Sequence, residues 1–320
     1  MVKELCLGLA ADNTNSIPVI NFNMEEEGGL KEGTSSWCAI RAKVRMALET
    51  YGCFEAVYGE SRLHQAMMGV IKEWFDLPLE TRLKHPSNDR MKGLVNPVVP
   101  LLTNVDITDS QNRERVESFT NLIWPQGNSN FCETVHSFAK QGSKLEQTVK
   151  KMIFESFGVE SYYDSLADAT TYWTRFNKYR VPEDNETNVG LVKHTDSSFL
   201  SLLSQNGVNG LDIQAKDGRW ITVTPSSPYS YTVLIGDPFM AWSNGRLHSP
   251  PHRVLMASDK PRYSTAFFSY IKGIIHPPEE LADEKHPLLF KPFEHLGFRR
   301  FRGTEEGLKA DSPIKAYCGI

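Results

Sequence analysis

The sequence lacks any apolar run long enough to cross a membrane. No stretch approaches the roughly 18 consecutive apolar residues of a membrane-spanning helix. The N-terminal residues do not show the basic and then apolar pattern of a secretory signal. We therefore expect a protein of the cytoplasm that has no membrane partner.

Cysteine is scarce, and its distribution excludes two kinds of stabilisation. The five cysteines are odd in number and scattered, and no two of them form a C-x-x-C pair. They are Cys6, Cys38, Cys53, Cys132 and Cys318. This usage argues against a disulfide framework and against a structural zinc site. We expect reduced thiols in a reducing compartment.

The chain also has no excess of positive charge. The 35 lysines and arginines are outnumbered by 39 aspartates and glutamates, which gives a net charge of −4. Such a balance offers no basic field to nucleic acid, so we expect no nucleic-acid partner. Hydrophobic residues make up 40% of the 320, enough for a sizeable core in one or two domains. We expect a monomer that acts on a small molecule.

Helical periodicity dominates the first half of the chain. Apolar residues recur at helical spacing in three segments, and Gly52, Pro78 and Gly158 mark their ends. The predicted elements are a strand over 17–22, a helix over 36–51, the strand Cys53–Val57, a helix over 63–77 and a long helix over 133–157.

After about residue 168 the pattern changes to short strands at regular spacing. The candidates are 171–177, 199–205, Leu211–Gln214, 219–224, 231–235, 252–256 and 263–270. Asp217-Gly218 and Asn244-Gly245 supply the positive φ angles that tight hairpins require. We predict an α+β chain with a mainly helical region over 1–167 and, over 168–320, a sandwich or jelly roll followed by a C-terminal helix and loop.

The tripeptide His194-Thr195-Asp196, followed later by His252, contains the ligands of an Fe(II) facial triad. Two imidazoles and one carboxylate on one face of the ion leave its other positions open. On a strand, His194 and Asp196 project to the same side, and the fold must bring His252 to them. A purely structural role is the alternative for either histidine alone. His248 is the rival third ligand, ranked below His252 because a strand continues from His252.

Arg262 and Ser264 form a second candidate site. A guanidinium pairs with a carboxylate through two hydrogen bonds, and a hydroxyl two residues later lies on the same strand face. The pair suits the far carboxylate of a 2-oxo acid that chelates iron through its other end. Asn177 and Tyr179, also two residues apart, are candidates to complete this site. A surface ion pair is the alternative for Arg262, and a place at the edge of the core is the alternative for Tyr179.

Together these residues resemble those of the plant 2-oxoglutarate- and Fe(II)-dependent dioxygenases. The resemblance covers nearly the whole chain. Its motifs include Ile17-Pro18-Val19-Ile20, Asn177-x-Tyr179, His194-Thr195-Asp196, Ile235-Gly236-Asp237, His252-Arg253-Val254 and Arg262-x-Ser264. Residues 124–128 and 317–320 are most similar to the subgroup of glucosinolate-forming (alkenyl/hydroxyalkyl) dioxygenases and steroidal glycoalkaloid hydroxylases.

The resemblance implies a double-stranded β-helix, or jelly roll, flanked by N-terminal helices. It implies that His194, Asp196 and His252 bind iron, and that Arg262 and Ser264 bind the 5-carboxylate of 2-oxoglutarate. Asn177 and Tyr179 would assist. The implied cofactors are Fe(II), 2-oxoglutarate and O2, with ascorbate as reductant. The implied reaction oxidises a C–H bond of a small plant specialised metabolite, by hydroxylation or by O- or N-demethylation, and releases succinate and CO2.

The walls of the substrate pocket are harder to assign from the sequence. Phe119, Trp124, Phe199 and Phe267 are aromatic candidates, with core packing as the alternative for each. An apolar cleft would suit a largely hydrophobic metabolite.

Three other functions compete with oxidation of a specialised metabolite. A dioxygenase that inactivates a hormone of the gibberellin or auxin type would have the same motifs. A non-oxidative jelly-roll metalloenzyme would not need the pair Arg262 and Ser264. A silent binding protein would not need an intact triad.

Overall fold

Two β-sheets form the centre of the molecule, and helices pack around them. The computed structural model describes residues 16–23, 30–84 and 99–320. The larger sheet has seven strands in the order β1-β2-β9-β6-β11-β4-β3, and the smaller has four in the order β5-β10-β7-β8. Strands β12 and β13 pair with each other in a separate two-stranded sheet. The predicted α+β architecture with a jelly-roll core is confirmed.

The strands are β1 (Val19–Asn21), β2 (Cys53–Val57), β3 (Leu102–Thr108), β4 (Thr170–Tyr179), β5 (Val189–His194), β6 (Leu200–Gln205), β7 (Leu211–Gln214), β8 (Trp220–Thr222), β9 (Ser230–Ile235), β10 (His252–Leu255), β11 (Arg262–Ile271), β12 (Ile274–Ile275) and β13 (Phe293–Glu294). The helices are α1 (Ser35–Thr50), α2 (Ser61–Asp76), α3 (Leu79–Arg82), α4 (Arg113–Ile123), α5 (Ser129–Phe157), α6 (Tyr163–Asp168), α7 (Asp237–Trp242), α8 (His295–Phe301), α9 (Glu305–Lys309) and α10 (Pro313–Cys318).

Helices α1 and α5 begin and end at local signals in the sequence. The Thr34 side chain accepts a hydrogen bond from the first turn of α1, and Asn128 does the same for α5. Gly158 ends α5 in the left-handed conformation, at φ 71°. Gly52, at φ 71°, follows α1, and a Cβ there would lie 2.2 Å from the carbonyl oxygen of His248. Only glycine fits this close approach.

Of the two predicted hairpin turns, the one at Asp217-Gly218 is present, and the prediction of the other, at Asn244-Gly245, is wrong. Asp217-Gly218 connects β7 to β8, with Gly218 at φ 88°. Asn244 and Gly245 do have positive φ angles, 52° and 77°, but they follow helix α7 and join no pair of strands. The Asn244 side-chain amide instead donates hydrogen bonds to the carbonyl oxygens of Leu281 and Pro287.

Strand β3 and helix α4 were not predicted from the sequence. In β3 only Leu102, Val105 and Ile107 are buried, so strict alternation is missing. The buried residues of α4 do follow helical spacing, and this short period was overlooked; they are Val116, Phe119, Thr120 and Ile123. Strand β3 pairs with β4 and completes the larger sheet, together with β1 and β2 from the same part of the chain. The division of the chain at residues 167 and 168 remains a prediction.

The described residues bear on two features of the sequence, the lack of a long apolar run and the scarcity of cysteine. Among these residues no helix is both long and apolar enough to cross a membrane. The cysteines Cys38, Cys53, Cys132 and Cys318 are unpaired, while Cys6 lies outside the described residues.

Candidate functional site

The pairing of β5 with β10 brings His194 of the tripeptide motif next to the distant His252. His194 and His252 are directly opposite each other in this antiparallel pair. The sequence suggested that His194 and Asp196 lie on the same strand. Strand β5 instead ends at His194, so Asp196 lies just beyond it. Its Oδ1 is nevertheless 3.7 Å from the Nε2 atom of each histidine. One ligand atom from each of the three residues lies within 4.8 Å of the other two.

Main-chain carbonyls fix which nitrogen of each histidine is available. Nδ1 of His194 lies 2.9 Å from the carbonyl oxygen of Val192, and Nδ1 of His252 lies 3.2 Å from that of Pro250. A carbonyl oxygen only accepts hydrogen bonds, so each Nδ1 carries the proton and donates it. Each Nε2 therefore directs a lone pair towards Asp196, which is the arrangement that metal-binding histidines adopt.

The electrostatics of the cluster favour the deprotonated forms that bind metal. Burial, and then the neighbouring His252, lowers the pKa of His194 to about 3. Burial works to raise the pKa of Asp196, but the two imidazoles and a hydrogen bond from Ser201 outweigh it and leave the pKa lowered. The Ser201 hydroxyl donates to Oδ2 of Asp196 at 2.6 Å, which leaves Oδ1 facing the histidines.

This donor set fits a divalent ion such as Fe(II). Two imidazole nitrogens and one carboxylate oxygen are the ligands of the facial triad. Ligand atoms about 2.1 Å from an ion and at right angles to each other lie about 3 Å apart. This is somewhat less than the 3.7 Å between Oδ1 of Asp196 and Nε2 of each histidine. The three groups need only a small inward movement to bind one ion.

The second candidate site lies on β11, between its neighbours β4 and β6. Arg262 pairs with Tyr179 across the sheet, and Ser264 pairs with Asn177 on one side and with Gln205 on the other. The Arg262 guanidinium donates to the Ser264 hydroxyl at 3.1 Å and to Oε1 of Gln205 at 2.7 Å. It lies 5.2 Å from the centre of the Tyr179 ring. The four predicted residues are thus neighbours, and Gln205 is an additional one.

Arg262 is a buried cation that has no carboxylate partner in the part of the chain that the structure describes. Its exposed fraction is 2%, and burial lowers its pKa. Within the described ranges no salt bridge pairs it with an acid, and its Nε has no hydrogen-bond partner. A buried charge is costly unless it is paired. The site is therefore suited to a ligand that brings its own carboxylate.

One cavity joins the two sites. Its volume is about 340 Å³, and it is lined by the three candidate metal ligands and by Arg262, Ser264, Asn177 and Tyr179. The even-numbered side chains of β11 form one wall, because alternate residues of a strand face the same side. These residues are Arg262, Ser264, Ala266, Phe268 and Tyr270.

Comparison with known proteins agrees with this geometry. The 2OG-Fe(II) oxygenase superfamily matches residues 170–270, which span β4 to β11. A probable 2-oxoglutarate-dependent dioxygenase of Arabidopsis thaliana, AOP1.2, is 41% identical over 95% of this chain and 96% of its own length. The chain belongs to the 2OG-Fe(II) oxygenase superfamily. This dioxygenase therefore uses Fe(II), 2-oxoglutarate and O2.

Solved structures resemble the dioxygenase over most of its length. The rice dioxygenase for auxin oxidation is 28% identical, with a TM-score of 0.75 over 90% of this chain and 95% of that one. A structure of JOX2 in complex with 2OG, Fe and JA is 24% identical, with a TM-score of 0.76 over 95% of this chain and 89% of that one, and supports the fold alone.

The four aromatic residues predicted for the substrate pocket do not line this cavity. All four are buried in the main hydrophobic core, and the dioxygenase cavity is lined by other residues. They are Phe119, Trp124, Phe199 and Phe267. Phe267 faces helix α5 and stacks on Tyr172, at 5.1 Å between ring centres. Its neighbour Phe268 lines the cavity instead.

The structure also separates His248, the rival ligand, from the metal site. His248 does not line the cavity, and its main-chain N–H bonds to the carbonyl oxygen of Leu48. The sequence analysis did not assign several other residues of the site. Phe268 and Tyr270 line the cavity and continue the alternation of Arg262 and Ser264 along β11, a spacing that could have revealed them. No local spacing connects the remaining residues, which either line the cavity (Arg175, Arg299 and Arg302) or bond to residues that do (Ser201 and Gln205).

Proposed function

We propose that His194, Asp196 and His252 hold the Fe(II) of this dioxygenase, and that Arg262 and Ser264 bind the 5-carboxylate of 2-oxoglutarate. The main support is the unpaired, buried Arg262 in the same cavity as two histidines with available Nε2 atoms. Such a cavity has a place for a divalent cation and, beside it, a place for the carboxylate of an organic acid.

The other residues of the site orient these groups. Asn177 and Gln205 lie beside Ser264 and limit its movement, while the Tyr179 ring covers the guanidinium of Arg262. Ser201 holds one oxygen of Asp196 and directs the other to the ion. When bound, Fe(II) with 2-oxoglutarate and O2 supplies the oxidising power, with release of succinate and CO2. Ascorbate is the reductant that we expect to sustain turnover.

The substrate that we propose is a small plant specialised metabolite, oxidised at a C–H bond by hydroxylation or by O- or N-demethylation. The 41% identity to AOP1.2 over nearly the whole chain supports this assignment. Oxidation of a hormone is the second candidate, favoured by the likeness to the rice dioxygenase for auxin oxidation. We also propose that the enzyme works as a monomer in the cytoplasm, without a nucleic-acid partner.

Succinate release would test the proposed function. The purified protein is incubated with Fe(II), ascorbate, 2-oxoglutarate and a panel of plant metabolites that includes auxin. We expect succinate to form together with a product that has gained one oxygen or lost a methylene group. A response to auxin alone would favour the hormone candidate.

Two histidine variants separate the metal site from general effects of substitution. His252→Ala removes a proposed ligand, and we expect it to abolish iron-dependent succinate formation. His248→Gln changes a nearby histidine outside the cavity and serves as the control. Succinate formation that survives in His252→Ala would refute the assignment of this ligand.

A further inference from the structure

The loop that carries Asp196 has little support from the sheet. Strand β5 ends at His194 and β6 begins at Leu200, so residues 195–199, the Asp196 loop, lie outside the ladder of strand hydrogen bonds. A ligand on a mobile loop binds an ion weakly, because the loop must become ordered when the ion binds. Contacts from other segments therefore decide how well Asp196 is placed.

Three hydrogen bonds tie residues 195–197 to distant segments. The Thr195 hydroxyl donates to Asp237 at 2.9 Å, and the main-chain N–H of Asp237 donates to the carbonyl oxygen of Asp196. On the other side of the ligand, the carbonyl oxygen of Ser197 lies 2.8 Å from Nε2 of His295. This last contact comes from the C-terminal part of the chain, which supplies no proposed ligand.

His295 is the first residue of helix α8, and its side chain is fully buried. Both ring nitrogens make hydrogen bonds. Nδ1 accepts from the main-chain N–H of Ile271, the last residue of β11, at 3.0 Å. Because Nδ1 accepts, the proton is on Nε2, which donates to Ser197. One ring thus connects the end of β11 with the residue that follows Asp196.

Helix α8 is held against the larger sheet beside this loop. Arg299 stacks on Trp173 of β4, 4.1 Å from the ring centre, and lies 5.3 Å from the ring centre of Tyr270 on β11. Just past the end of the helix, Arg302 lies 3.5 Å from Asp237, the other residue that holds the loop. Both ends of α8 are therefore close to the Asp196 loop.

We propose that His295 is a positioning residue for iron binding. Through the carbonyl oxygen of Ser197 it holds the Asp196 loop, so that Oδ1 of Asp196 faces the two histidines. This inference rests on the proposed function, because it takes Asp196 as an iron ligand. His295 does not line the cavity, so its substitution weakens iron binding without removing a ligand. The site at Arg262, at the other end of β11, is left unchanged.

Two substitutions of His295 each keep one of its two contacts. The amide of glutamine can take the place of Nε2 and donate to Ser197, whereas the shorter asparagine can take the place of Nδ1 and accept from Ile271. We expect His295→Gln to bind Fe(II) within about threefold of the wild type, and His295→Asn to bind it about tenfold or more weakly. Anaerobic calorimetry measures both affinities, and 2-oxoglutarate should bind equally well to both variants at saturating iron.

His64→Asn separates positioning from a loss of stability. His64 is also buried and bonded at both ring nitrogens, to Ser204 and to Gln141. Ser204 is at the far end of β6 from the Asp196 loop. His64→Asn should therefore lower the urea concentration at which the protein unfolds and leave its iron affinity unchanged.

Arg299→Gln tests the same role without changing the buried ring. The substitution loosens α8 from Trp173 and Tyr270, and we expect a smaller fall in iron affinity than in His295→Asn. Loss of a positive charge beside the cavity would by itself strengthen the binding of a cation, so a fall indicates a change of geometry. Arg300→Gln is the matched control, because Arg300 is on the same helix but exposed and paired with Glu294.

The outcomes separate this inference from the proposed function. Equal iron affinities of His295→Gln and His295→Asn, or an equal loss in His64→Asn, would overturn the inference. If His295→Asn does not fold, an Arg299→Gln protein that binds iron as tightly as the wild type would overturn it. A wild-type protein that does not bind Fe(II) would instead overturn the proposed function, and the inference would fall with it.

Discussion

The chemistry of single residues at this site depends on burial and on one or two specific contacts. A histidine can bind metal through either nitrogen, and here a carbonyl oxygen decides between them for His194 and for His252. An arginine on the surface would be paired or hydrated. Arg262 is buried and has no carboxylate partner among the described residues, so its charge remains available to a ligand.

Substitution of Arg262 is expected to weaken the binding of 2-oxoglutarate and leave the iron site intact. Arg262→Gln removes a charged, two-point contact, and we expect a loss of roughly 10- to 100-fold in affinity. Arg262→Lys keeps the charge without the planar fork and should recover only part of it. Titration of 2-oxoglutarate and of Fe(II) in separate anaerobic experiments measures both effects.

Arg219→Gln is the control for this prediction, because Arg219 lies on an exposed turn and pairs with Asp217. Unchanged 2-oxoglutarate affinity in Arg262→Gln would show that the co-substrate binds elsewhere. A parallel loss of iron affinity would point to a general disturbance of the cavity.

Among the elements, helix α7 has a role beyond its six residues. Its first residue, Asp237, accepts hydrogen bonds from Thr195 at 2.9 Å and from Ser249 at 2.8 Å. Its main-chain N–H donates to the carbonyl oxygen of Asp196. One carboxylate thus connects the segment of two proposed ligands with the loop that precedes His252, and its position in the first turn of a helix is favourable for a negative charge.

We expect Asp237 to act as a positioning residue for the metal ligands. In Asp237→Asn only the oxygen of the side-chain amide can accept, so one of the two hydroxyl contacts is lost. Fe(II) affinity should fall by about tenfold or more, as is typical when the support of a metal ligand is removed. Binding of 2-oxoglutarate at saturating iron should change little. Anaerobic titrations of the two ligands give this comparison.

Variants of Thr195 distinguish positioning from simple destabilisation. Thr195→Ser keeps the hydroxyl and should retain near-normal iron affinity, whereas Thr195→Val loses the hydrogen bond and should resemble Asp237→Asn. Equal iron affinity in Thr195→Ser and Thr195→Val would contradict the positioning role.

The sequence predicts the bounds of individual strands and helices better than it predicts how they pair and pack in the fold. Strands Cys53–Val57 and Leu211–Gln214 match their predicted bounds, and α5 ends where Gly158 indicates. These features depend on local periodicity and on residues with special backbone conformations. The meeting of His194 and His252 depends on the register between β5 and β10, for which a single sequence contains no local signal.

Prediction from the sequence also fails for the individual residues that line the cavity. Phe267 and Phe268 are adjacent and both aromatic, and only the face of β11 that meets α5 decides which one is core. Arg299 and Arg302 come from the C-terminal segment, for which the sequence analysis predicted only a helix and a loop. Their place beside Arg175 on β4 is a tertiary property, so no spacing could reveal it.

In the molecule as a whole, two buried histidines connect the layers of the fold in their neutral form. His64 on α2 donates through Nδ1 to Ser204 on β6, and its Nε2 accepts from Gln141 on α5. Nδ1 of His295 accepts from the main-chain N–H of Ile271, so its Nε2 donates to the carbonyl oxygen of Ser197. A second proton on either ring would face a donor, and burial lowers both pKa values to about 4.

These histidines predict that the folded protein loses stability as the pH falls from about 6.5 to about 4. The unfolded chain takes up protons near pH 6.5, whereas each of the two buried rings resists them until about 4, so acid favours unfolding. At pH 5 each histidine should lower the free energy of unfolding by about 2 kcal/mol relative to neutral pH. Urea unfolding at pH 7.5 and at pH 5 measures this difference.

Both His64→Gln and His295→Gln should reduce the difference in unfolding free energy between the two pH values, while His286→Gln, on an exposed turn, should leave it unchanged. An equal loss of stability in all three variants and the wild type would show that other groups control the acid response.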